Sequence, residues 1–150
     1  MASPTRTVWP RRLAIVPLLL LAMANHPSLP PPAKFSPVRE VALVCTATGA
    51  QNLHPAATSA LVCAAFKRRF DAALGRDTHP AIRVPAKGDV VNVALNIPGP
   101  RSASATVTTR AGGRSARWPE ISIDVMDKPL GMSEIEQLAA EVARTIMQVR

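Results

Sequence analysis

The chain has no tyrosine, and only two tryptophans and three phenylalanines among 150 residues. Surfaces that bind nucleic acid strands interleave aromatic rings with basic side chains. So thin a supply of rings excludes that class, and it weakens any carbohydrate platform for the same reason. Phosphate-cradling loops are also missing. Gly112-Gly113 stands without the G-x-x-x-x-G-K or G-x-G-x-x-G context that would make it one. Neither a G-x-S-x-G elbow nor an S-x-x-K motif is present to activate a serine. Cysteine is limited to Cys45 and Cys63 and histidine to His26, His54 and His79. No C-x-x-C pair exists to nucleate a zinc site. The expectation is a chain with no metal and no cofactor.

The apolar run Leu13 to Ala24 is shorter than the ~20 residues a spanning helix needs, and it contains Pro17. Arg6, Arg11 and Arg12 precede it without an acid, and it ends on Ala22-Met23-Ala24. A basic start, a short apolar stretch and a small-x-small end make a cleavable export signal over residues 1–24. Prolines 27, 30, 31, 32 and 37 then crowd residues 25–38, which read as a stiff unstructured leader. The folded part is expected over 39–150, with no membrane-spanning segment after cleavage. That places it outside the cytosol, periplasmic or extracellular. There, two cysteines most simply pair, and a Cys45–Cys63 bridge would add about 3 kcal/mol in the chain-entropy model.

Charge is plentiful and uneven. The chain carries +8 overall. Residues 67–117 are rich in arginine and lysine, while 118–150 are acidic. Lys67, Arg68, Arg69, Arg110, Arg114 and Arg117 form a candidate anion-binding set, although they are dispersed and make no sustained run.

Periodicity supplies the elements. Residues 39–46 are apolar and β-branched, as in a covered strand. Val62, Cys63, Phe66, Phe70, Ala73 and Leu74 recur at helical spacing between a Thr58 or Ser59 cap and Gly75, which predicts a helix over 56–74. Three strands with alternating faces follow, at 89–97, 102–110 and 118–127. A hairpin turn at Gly112-Gly113 separates the last two. Ser133 and Glu136 fit a capping box for a final helix with the stripe Ile135, Leu138, Ala139, Val142 and Ile146. The order β-α-β-β-β-α, with one apolar face per element, predicts an α+β two-layer sandwich: a mainly antiparallel sheet carrying both helices on one face. The place of the first strand in the sheet stays open.

Candidate chemistry is sparse. Cys45, His54 and Cys63 could ligate a metal only if the sulfurs stayed reduced. Glu120, Asp124 and Asp127 are the one acid cluster near a strand end, and a hydrolase would have to use Asp124 or His54. What remains is the outward sheet face, with Asn92, Asn96, Thr106 and Thr108 among its short polar side chains. Trp118 falls on that face by parity and is its candidate anchor. The sequence therefore points to a non-catalytic interaction or accessory module of the cell envelope, with an envelope protein as partner and no nucleic acid. Polyanion binding is the alternative.

Overall fold

The apolar run that opens the folded part becomes β1 (Val41–Thr48). In the computed structural model, which describes Phe35 and residues 39–148, the first four residues of β1 are all buried and the later ones alternate. A 3-10 turn (Ala50–Asn52) leads to α1 (Ser59–Leu74). Thr58 caps α1, its Oγ1 accepting the Leu61 N–H at 3.3 Å, and Gly75 ends it in the left-handed conformation. Then come β2 (His79–Ala81), β3 (Asp89–Gly99), β4 (Ser102–Ala111), β5 (Arg114–Arg117), β6 (Ile121–Asp124) and α2 (Met132–Gln148). The export signal and the proline-rich leader lie outside the described residues, apart from Phe35, which packs against the core.

The six strands make one sheet in the order β2-β1-β3-β4-β5, with β6 also paired to β4. β1 pairs in parallel with β2 and β3, and the remaining pairings are antiparallel. The α+β architecture with a mostly antiparallel sheet is therefore as expected, and the first strand now has its place, inside the sheet. Parallel neighbours need a crossover; α1 provides it between β1 and β2, and the segment after β2 crosses β1 to reach β3. Val91, Val93, Leu95 and Ile97 of β3 and Ala103, Ala105 and Val107 of β4 face the helices. Against them lie Val62, Phe66 and Phe70 of α1 and Ile135, Leu138, Ala139 and Val142 of α2. The Phe66 and Phe70 rings stack at 5.8 Å between centroids.

Two details differ from the sequence expectation. α2 starts earlier than a Ser133 cap would have it. The Glu134 and Ile135 N–H groups bond to the Gly131 carbonyl, and the Glu134 carboxylate accepts the Gly131 N–H at 2.8 Å. The cap is thus built two residues earlier, with Gly131 at the N-cap and Glu134 in the place assigned to Glu136. The last strand is also broken. Thr108 pairs with Arg117, whereas Ala105 pairs with Ile121. Two β4 residues, Thr106 and Val107, therefore oppose Trp118, Pro119 and Glu120, which is a one-residue bulge.

Candidate functional site

The bulge decides the fate of Trp118. A one-residue shift sends a side chain to the other face. Trp118 is consequently 8% exposed and belongs to the core. Its N–H donates to the Val107 carbonyl at 3.0 Å, and its indole Nε1 donates to Thr109 Oγ1 at 3.0 Å. The reading of Trp118 as a surface anchor is corrected: parity was counted as if the strand ran unbroken through Pro119.

The rest of the open face is ordered in rows. Pairing places Val44, Asn92, Thr108 and Arg117 on one row, Thr46, Ala94 and Thr106 on the next, and Thr48, Asn96, Ser104 and Ser122 beyond. Asn96 is exposed, and Asn92, Thr106 and Thr108 are half-buried. Thr48 Oγ1 donates to Asn96 Oδ1 at 3.2 Å, so neighbouring strands also join through side chains. At the other end this face is covered. The chain from β2 to β3 must pass from one side of β1 to the other. Arg110 donates to the carbonyls of Pro85 and Gly88 in that crossing. Ala42, Val44 and Val90 are buried there, with Ala81 against them. The available surface is the half of the sheet toward Thr48 and Ser122.

The candidate anion-binding residues do not converge. Lys67 pairs with Asp71, Arg68 pairs with Glu136 across the two helices, and Arg110 serves the crossing. Arg69 is on α1, while Arg114 and Arg117 are exposed on β5. His54 Nδ1 accepts the Ala56 N–H at 3.1 Å and shapes its own turn. Cys45 and Cys63 are joined, with Cα atoms 5.8 Å apart, so neither sulfur is free to ligate or attack.

Three acids are buried, and each serves the fold. Asp71 accepts from Thr78 Oγ1 at 2.7 Å, tying the end of α1 to the approach to β2. Glu134 caps α2. The Lys128 ammonium, with the Ser133 hydroxyl and the Gly131 N–H, draws its carboxyl from the ordinary 4.5 down to about 2. Asp89 accepts the Gly112 N–H at 3.1 Å and so fastens the β4–β5 turn, while its other carboxylate oxygen has no hydrogen-bond partner among the described residues. It borders an open cavity of about 320 Å³ with Arg39, Lys87 and Arg110. Sequence reasoning passed over Asp89; its one signal is a lone acid opening an apolar strand. A second open depression, of about 450 Å³, lies at the end of α1 beside Arg68, Asp71 and Asp77. Neither hollow is lined by His54 or Asp124. Among the described residues no group of three His, Cys, Asp or Glu is placed to hold a metal, and no helix is long and apolar enough to cross a membrane.

The sequence matches no protein-family model and no curated protein. Its fold does have solved counterparts. A PelC dodecamer from Paraburkholderia phytofirmans, in a singly substituted form, superposes with a TM-score of 0.53 at 14% identity, over 80% of this chain and 96% of that one. Another PelC dodecamer structure from the same organism gives 0.44 at 16% identity, over 81% and 93%. An uncharacterized protein gives 0.49 at 10% identity, over 71% and 92%. At these identities the likeness is one of fold.

Proposed function

We propose that this chain is an exported, non-catalytic module of the cell envelope that acts by protein–protein contact through its open sheet face. The observation that carries the proposal is that face: rows of short polar side chains, half of it uncovered and flanked by strand edges without partners among the described residues. Flat polar faces without long charges lose little side-chain entropy on docking. The Cys45–Cys63 bridge supports an oxidising compartment. The likeness in fold to a chain that assembles as a dodecamer supports a role in assembly. Polyanion binding finds less support, since three of its six candidate side chains are engaged within the fold.

The test places a photo-crosslinking residue at Thr106 in living cells, with a second probe on the helix layer at Arg69. The expected result is a discrete cross-linked species from position 106 only, abolished by Asn96→Arg with the melting temperature unchanged. The protein carrying it should lack residues 1–24. A cytosolic chain with an intact Met1 and two free thiols would overturn the reading, as would a silent sheet face.

A further inference from the structure

We infer that the connection from β2 to β3 is a lipid-binding loop. It seats this chain on the surface of an anionic bilayer, with Ile82 and Val84 buried among the headgroups and basic side chains meeting the lipid charge. This goes beyond the protein contact proposed above and uses a different part of the molecule.

The loop is short and fastened. It runs from Ala81, opposite Val44, to Asp89, opposite Val41, so its ends lie about 10 Å apart along β1 and on either side of it. Arg110 holds its second half: Nη2 donates to the Pro85 carbonyl, and Nε donates to the Gly88 carbonyl at 3.2 Å. Pro85 stiffens the same stretch. The crossing has apolar sheet to cover, since Ala42, Val44 and Val90 are buried there with Ala81 against them. Yet its largest apolar side chain is not used for this. Ile82 is 97% exposed, and Val84 48%.

Within residues 82–88 the charge has one sign. Arg83 stands between Ile82 and Val84, Lys87 follows, and both are exposed. Lys87 lines the basic hollow together with Arg39 and Gly113, and Arg114 comes next in the chain. Among the described residues, no ion pair engages Arg39, Arg83, Lys87 or Arg114. The acids beside them are Glu40, exposed next to Arg39, and Asp89, buried on the Gly112 N–H. Projecting apolar side chains flanked by unpaired cations match the headgroup layer of an anionic bilayer, which takes up the apolar groups and attracts each cation. A protein partner is a poorer match, because interface cores rely on aromatic anchors and this loop carries no ring. Met126 is the contrast: it is 82% exposed but stands between Asp124 and Asp127, which an anionic surface repels.

Co-sedimentation of the oxidised chain lacking residues 1–24 with lipid vesicles tests this. Wild type should bind vesicles of equal parts phosphatidylglycerol and phosphatidylcholine, more weakly as salt rises, and should bind pure phosphatidylcholine far less. Ile82→Ser should weaken binding by about tenfold or more, the effect of withholding one large apolar side chain. Arg83→Gln and Lys87→Gln should each weaken it about fivefold, and Arg83→Lys should keep it. Met126→Ser should bind as wild type does. All these positions are exposed, so melting temperatures should stay put. A wild type that ignores the anionic vesicles or binds both kinds equally overturns the inference, as does an Ile82→Ser variant that binds undiminished. So does capture by soluble polyglutamate with the same dependence on Ile82, which would assign the loop to an acidic protein. The Thr106 cross-link is read separately: a loop that ignores vesicles leaves the proposed function standing, and a silent sheet face leaves the lipid contact standing.

Discussion

Gly49 has a φ of 77°, and a Cβ built there would lie 2.0 Å from the Ile97 carbonyl oxygen. That carbonyl is held in place, because Asn52 Nδ2 donates to it at 2.7 Å. Gly75 shares the left-handed conformation, with a φ of 72°, but has open space where a Cβ would go. Two glycines with one backbone geometry therefore separate strain from collision. Gly75→Ala should cost about 1 kcal/mol, the ordinary penalty of that region. Gly49→Ala should cost about 3 kcal/mol or more, because the Ile97 backbone has to move as well. Urea unfolding midpoints of the two variants check this, and equal shifts would refute it. Nothing in the sequence distinguishes the two positions, since the collision partner lies on β3, far along the chain.

α2 is where local pattern and tertiary contact meet. Its apolar stripe was legible in the sequence because spacing alone specifies which face is buried. Its first turn was not, because Lys128 reaches back from before the helix to Glu134 and the Gly131 N–H completes the cap. Trp118 failed in the sequence for a related reason: a bulge is a count of residues against a partner strand, and no pattern within one strand reveals it. The Glu134 cap has a pH signature. Its carboxyl is depressed in the folded state, so its stabilisation is complete above the unfolded value near 4.5 and is lost as pH falls toward about 2. Lys128 is largely in water, with its side chain 63% exposed, so screening limits the effect to about 1–2 kcal/mol. Glu134→Gln should reduce stability at neutral pH by that amount and flatten the acid limb between those pH values. Chemical denaturation across that range measures it, and an acid limb as steep as wild type would rule the cap out as its source.

At the scale of the whole molecule, two layers must stay in register, and one covalent link joins them. Cys45 lies in β1 and Cys63 in the second turn of α1, 18 residues apart. The Ala47 N–H reinforces the same junction by donating to Ser59 Oγ at 3.2 Å. α1 packs against both β1 and α2, and Arg68 reaches Glu136, so a shift of α1 disturbs the entire helix layer. Closing an 18-residue loop removes about 3 kcal/mol of freedom from the unfolded chain. A domain of this size has about 5–15 kcal/mol in hand, so the reduced protein should still fold, over a core that is apolar on both layers. Cys45→Ala with Cys63→Ala should therefore lower the melting temperature by about 10–20 °C while leaving the far-ultraviolet circular dichroism native at 25 °C. Reductant should shift wild type by the same amount and leave the double variant unchanged. A double variant that melts with wild type would mean the layers hold without the bridge. One that never folds would mean the bridge builds the two-layer packing rather than reinforcing it.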